Sequence, residues 1–161
     1  MNAIVISIGD ELLIGQTLNT NASWMGAELN KNGVELSEVL TISDDGIAIQ
    51  NALNYAGNKA KLVLITGGLG PTKDDITKKA FADYFNAPLL ENKEALDNVE
   101  RFFKRYNREV LPVNKLQALV PKGCEMLLNK AGTAPGMWMQ HKEVVFVSMP
   151  GVPGEMKYLM E

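Results

Sequence analysis

Residues 66–77, TGGLGPTKDDIT, set three glycines and two adjacent carboxylates, Asp74 and Asp75, directly after an apolar run at 62–65. Glycines let the backbone pass close to a ligand with its N–H groups exposed, and a helix starting near Asp74 aims its positive end at the same point. Such a loop suits phosphate. The backbone N–H groups of Gly67, Gly68 and Gly70 and the hydroxyls of Thr66 and Thr72 are its expected donors, and Lys73 would offset charge on a phosphate. Bare carboxylates repel phosphate, so Asp74 and Asp75 are read as serving a cation. Acidic pairs also follow two other predicted strands: Asp10 with Glu11, and Asp44 with Asp45. The carboxyl ends of the strands in an open parallel sheet line its ligand crevice, which predicts that all three pairs converge on one rim. Crowded carboxylates without matching cations repel one another, and a divalent Mg, Mn or Co ion held by Asp74, Asp75 and Asp10 or Glu11 would relieve this. A structural reading stays open for the same positions. Asp75 follows Thr72 at capping-box spacing, Asp74 fits a helix cap, and Asp44-Asp45-Gly46 fits a turn and cap.

Other chemistries find little support. The single histidine, His141, falls in a predicted turn far from the glycine loop, which argues against a Ser-His-Asp or Cys-His mechanism. Neither GxxxxGK[ST] nor a GxGxxG after the first strand is present.

The elements that must position these groups read as a succession of strand–helix units. Residues 3–8 are rich in β-branched side chains, and Asn19-Thr20-Asn21 offers a cap for a helix to about residue 32, ended by Gly33. A strand at 34–42 precedes a helix whose Ile49, Ala52, Leu53 and Ala56 share one face. The strand at 62–65 leads through the glycine loop to a helix reaching about residue 85. Three such units indicate a parallel sheet with right-handed crossovers. Beyond them the spacing predicts an amphipathic helix over about 92–106, with Leu96, Val99, Phe103 and Tyr106 inward and its Lys and Arg residues solvated. A short helix is expected near Pro112, then strands at 125–128, 136–140 and 143–149, the last two joined by a tight turn at His141-Lys142. The fold class is therefore α/β with a mixed, mostly parallel sheet. A helix is expected from Pro153, bringing Glu155 towards the rim. It continues to Glu161, so a larger parent protein is expected.

At 161 residues the chain fits one domain with a single core. Its composition, 46% hydrophobic and 22% charged with net charge −3, is that of a globular protein and argues against a nucleic-acid surface. The lone Cys124 rules out an internal disulfide and suits a reducing cytoplasm. The apolar run at 3–8 is too short for a membrane span or signal peptide. Cys124, Trp24 and Trp138 read as core or interface.

Four blocks together resemble a known family: GDELLIGQTLNTNASWM from Gly9, TGGLGPTKDDIT from Thr66, NKLQALVPKGCEMLLNKAGTAPGM from Asn114 and PGVPGEM from Pro150. They look like the N-terminal domain of the competence/damage-inducible CinA proteins, which is similar to the MoaB/Mog-type molybdopterin-binding domain. The resemblance implies a three-layer α/β/α fold and one of two activities. CinA-type domains are associated with metal-dependent hydrolysis of the pyrophosphate in ADP-ribose. The molybdenum-cofactor relatives bind a pterin phosphate and adenylylate it or insert metal. Acids after the second strand and after the TGG motif carry function in those relatives, which points to Asp44 and Asp75, with Asp10 completing the expected catalytic acids. Asn19 and Asn21 are expected to hold ribose hydroxyls or a purine edge, and Gly132, Gly136 and Gly151 to close the far wall. A non-catalytic nucleotide-binding module is a third expectation. The resemblance also implies a homo-oligomer and, in the parent protein, a C-terminal amidohydrolase domain of which these residues carry no trace.

Overall fold

The computed structural model describes residues 1–69 and 76–161. In chain order its elements are strand Asn2–Ile8 (β1), helix Asp10–Leu13 (α1), helix Thr20–Lys31 (α2), strand Glu35–Ile42 (β2) and helix Gly46–Lys59 (α3). Strand Leu62–Thr66 (β3), helix Thr77–Tyr84 (α4), strand Leu89–Glu91 (β4), helix Lys93–Arg105 (α5) and helix Pro112–Lys115 (α6) follow. Strands Leu119–Pro121 (β5), Glu125–Leu127 (β6), Gly136–His141 (β7) and Val144–Met149 (β8) precede a last helix, Pro153–Met160 (α7).

The described residues form a six-stranded sheet in the order β2-β1-β3-β8-β7-β6, with β4 and β5 as a separate antiparallel pair. Pairings among β2, β1, β3 and β8 are parallel, and those of β7 with β8 and β6 are antiparallel. The sheet is mixed and mostly parallel, as expected. Because successive strand residues point to opposite faces, β1 sends Ile4, Ile6 and Ile8 into one apolar cluster and Ala3 and Val5 into another. The first cluster packs Ile49, Leu53, Ala56 and Phe81 from α3 and α4 on the sheet, and the second packs Met25 and Leu29 from α2 and Met156 from α7. Helices on both faces make the three layers. No helix among the described residues is long and apolar enough to cross a membrane.

Several expectations need correction. The helical turn at residues 10–13 and the β4–β5 pair were not foreseen. Tyr106 does not point inward: α5 ends at Arg105, Tyr106 is 57% exposed, and the buried face is Ala95, Asn98 and Val99. The β7–β8 turn lies one residue later than expected, because His141 still pairs with Val144 and Lys142 takes the left-handed φ of 55°.

Candidate functional site

Four parallel strand ends meet at one cavity of about 290 Å³. It is lined by Ile8 at the end of β1, Glu11 and Leu12 of α1, residues 17–21 entering α2, and Asp44 after β2. Thr66, Gly67 and Gly68 at the end of β3, with Gly151 and Pro153 after β8, complete it. From β1 the chain crosses to β2 on one side while β3 lies on the other, and ligands bind where connections diverge in this way.

The floor depends on glycine. Gly67 has φ 109°, its N–H donates to Met149 O at 3.2 Å, and a Cβ there would lie 2.2 Å from the carbonyl oxygen of Ile8. Gly68 also takes a left-handed φ, 62°. A Cβ on Gly151 would come within 3.2 Å of Gly67 Cα, so two backbones approach each other directly beneath the cavity.

Asparagines join the strand ends to α2. Asn19 caps that helix, its Oδ1 accepting from Ala22 N and from Ser7 Oγ, both at 3.2 Å, while its Nδ2 lies 3.4 Å from Thr41 Oγ1. Asn21 Nδ2 donates to Thr66 Oγ1 at 3.1 Å and to Gly151 O at 2.9 Å, and Thr66 Oγ1 donates onward to Pro150 O at 3.0 Å. Because the Thr66 proton is committed to Pro150, the amide must present nitrogen to Thr66. Asn21 Oδ1 is therefore turned the other way, buried, with no hydrogen-bond partner among the described residues. A buried acceptor of this kind is open to a donor from a ligand or an ordered water.

Of the expected residues, Thr66, Gly67, Gly68, Asn19, Asn21, Gly151, Glu11 and Asp44 share this cavity. Asp10 is adjacent, its Oδ1 accepting from Asp44 N at 3.4 Å, so the acids after β1 and β2 do meet. Asp45 does not join them, because its carboxylate accepts from Ala48 N at 2.8 Å and caps α3. Gly132 and Gly136 lie elsewhere: Gly132 leaves room for the Glu155 carboxylate, and Gly136 packs against Leu127 and Leu159. Glu155 correspondingly turns from the rim to Asn129 Nδ2 at 2.6 Å, and burial pushes its carboxyl above the ordinary range while that hydrogen bond pulls it down. Gly70, Thr72, Lys73, Asp74 and Asp75 lie outside the described residues. Leu12, Thr17, Leu18 and Thr20 line the cavity without having been anticipated. Leu18 is 81% exposed there, which its sequence neighbours Thr17 and Asn19 do not reveal.

No lysine or arginine lines the cavity among the described residues, whereas Glu11 and Asp44 do. Among those residues no group of three or more acids, histidines or cysteines is placed to hold a metal ion. One or two carboxylates are nonetheless a donor set that a hard cation uses together with substrate phosphates. Glu11 and Asp44 line the cavity, and Asp10 adjoins Asp44.

A family model described as "Probable molybdopterin binding domain" matches residues 4–161. A CinA-like protein of Flavobacterium psychrophilum is 51% identical over 162 residues, covering 100% of this chain and 39% of the relative. A CinA-like protein of Cytophaga hutchinsonii is 45% identical, covering 98% and 38%. The chain thus spans about two-fifths of the length of these curated relatives. Among solved structures, the CinA protein of Thermoplasma acidophilum superposes with TM-score 0.89 at 35% identity, covering 99% of this chain and 93% of that one. The tungsten cofactor synthesizing protein MoaB of Pyrococcus furiosus, 20% identical with TM-score 0.64 over 99% and 87%, shares the fold. The cavity at the strand ends is carried by a chain that belongs to the molybdopterin-binding domain family, in its CinA-like branch.

Proposed function

We propose that this cavity takes a nucleotide diphosphate and that the chain hydrolyses the phosphoanhydride bond of ADP-ribose or a related nucleotide-sugar diphosphate. The observation that carries the reading is the Gly67–Gly68 turn, whose Cβ-free backbone forms the floor between Ile8 and Gly151. The Gly67 N–H is spent on Met149 O, so the grip on phosphate oxygens falls to the Gly68 N–H, extended by Gly70 and the Thr72 hydroxyl, and Lys73 would offset leaving-group charge. The unpartnered Asn21 Oδ1 suits a ribose hydroxyl or an exocyclic amino group, and Leu12 and Leu18 supply an apolar wall for a flat ring. An acidic rim facing an anionic ligand calls for a divalent cation. Asp10, Glu11, Asp44, Asp74 and Asp75 are the acids assigned to it, and a bound Mg²⁺, Mn²⁺ or Co²⁺ would neutralise phosphate charge and acidify an attacking water.

The experiment is a hydrolysis assay with ADP-ribose and each metal, run beside calorimetric titration of ADP-ribose, AMP and a pterin phosphate. Asp75→Asn is expected to lose about 100-fold or more in turnover while retaining the fold. Full activity in that variant removes Asp75 from the metal role. The family description favours a second reading, pterin-phosphate binding, which preference for the pterin ligand would select. Tight nucleotide binding without turnover under every metal would leave a non-catalytic module.

A further inference from the structure

All three arginines of this chain, Arg101, Arg105 and Arg108, fall within eight residues of one another. Two of them, with Lys104 from the same end of α5, line a cavity of about 600 Å³ together with Phe102, Asn98 and Lys130. Four cations and, among the described residues, no acid face it. Elsewhere Lys31, Lys59, Lys61 and Lys79 each pair with a carboxylate, but Arg101, Lys104, Arg105 and Lys130 make no ion pair or side-chain hydrogen bond among the described residues. Asp97 and Glu100, one helical turn before Arg101 and Lys104, form no salt bridge with them.

Helix-dipole compensation accounts for cations in the last turn of α5, Lys104 and Arg105. It does not account for Lys130, which comes from a different segment. That segment is clamped to the helix: Asn98 Nδ2 donates to Asn129 O at 2.9 Å and to Gly132 O at 3.1 Å, and Asn129 Nδ2 donates to Ala134 O at 2.9 Å. Asn98 and Asn129 are 7% and 0% exposed, so buried polar bonds hold the mutually repelling charges around one space in a protein of net charge −3. The side-chain type is also selective. Guanidinium offers a planar fork that matches phosphate oxygens in pairs, unlike the point charge of a lysine ammonium.

We propose that this cavity is a second ligand site, separate from the one at the strand ends, and that it binds a small phosphate-bearing anion of at least two negative charges. Arg101 and Arg105 grip the phosphate, Lys104 and Lys130 supply charge from either side, and the Phe102 ring offers an apolar surface to whatever the phosphate carries.

The test is an NMR titration of the ¹⁵N-labelled chain with inorganic pyrophosphate and then ADP, following backbone amides and arginine Nε–Hε signals. Pyrophosphate also suits the first cavity, so the signals of Asn98, Arg101, Arg105 and Lys130 are read separately from those of Asn19, Asn21, Gly67 and Gly68. Saturable shifts are expected in the first set, with affinity weakened by about tenfold or more in the double variant Arg101→Gln/Arg105→Gln and unchanged in Asn21→Ala. Tighter binding of ADP than of pyrophosphate assigns a nucleotide, and equal binding assigns the phosphate alone; either supports the site. Three results overturn it: no saturable shift in the first set at millimolar ligand, shifts that survive the double variant, or equal shifts from sodium chloride at matched ionic strength.

Discussion

Gly67 is the residue on which the candidate site most directly rests. A methyl group at this position meets the Ile8 carbonyl at 2.2 Å while the backbone holds φ 109°. Gly67→Ala is expected to cost about 3 kcal/mol in urea unfolding and to abolish ADP-ribose binding; an unchanged midpoint would mean that the loop does not need this path. Glu155 sets a pH dependence. Burial raises its carboxyl above the ordinary value of 4.5, so the folded state binds this proton more tightly than the unfolded one. The associated stability is complete below that ordinary value and is lost as pH rises through the folded value. Glu155→Gln, which can still accept from Asn129, should therefore melt higher relative to the parent at about pH 7 than at about pH 4. A melting-temperature difference independent of pH would remove burial of charge as the cause. At this scale the residue types were legible and their directions were not. Asp44 and Asp45 look alike in sequence, yet one lines the cavity and the other bends back to the Ala48 N–H.

Whole elements declared themselves where apolar residues repeat over several turns or strand positions. β1 and β3 are buried on both faces and read as β-branched runs, while Ile49, Ala52, Leu53 and Ala56 mark the inner face of α3. Short elements carry too few residues to show a period. Helix α1 has four residues and buries none, and β4 and β5 have three residues each and are paired only by a distant partner. Capping was legible where the sequence offers Asn or Asp before a periodic segment. Asn19, Asp45 and Asn92 each accept from the backbone N–H three residues on. Asp45→Ala should lower stability by about 1 kcal/mol through α3 and leave ADP-ribose affinity unchanged. A matching loss of affinity would return Asp45 to the site.

The two apolar clusters lie on opposite faces of one sheet and share its central strands, so the two faces are expected to unfold together. Phe81→Ala on the α4 face should cost about 3–5 kcal/mol and Met25→Ala on the α2 face about 2–5 kcal/mol, each shifting one common unfolding transition. A biphasic curve in either variant would show that the faces unfold separately. Composition and periodicity by themselves determined the α/β class, the parallel first half and the glycine-rich loop, because local spacing records which faces are buried. The tertiary structure alone decided that Asn21 reaches across to Thr66 and Gly151, that Glu155 turns to Asn129, and that Lys130 joins the arginines of α5. Those contacts depend on strand order and on the direction of individual side chains, and neither leaves a periodic mark in the chain.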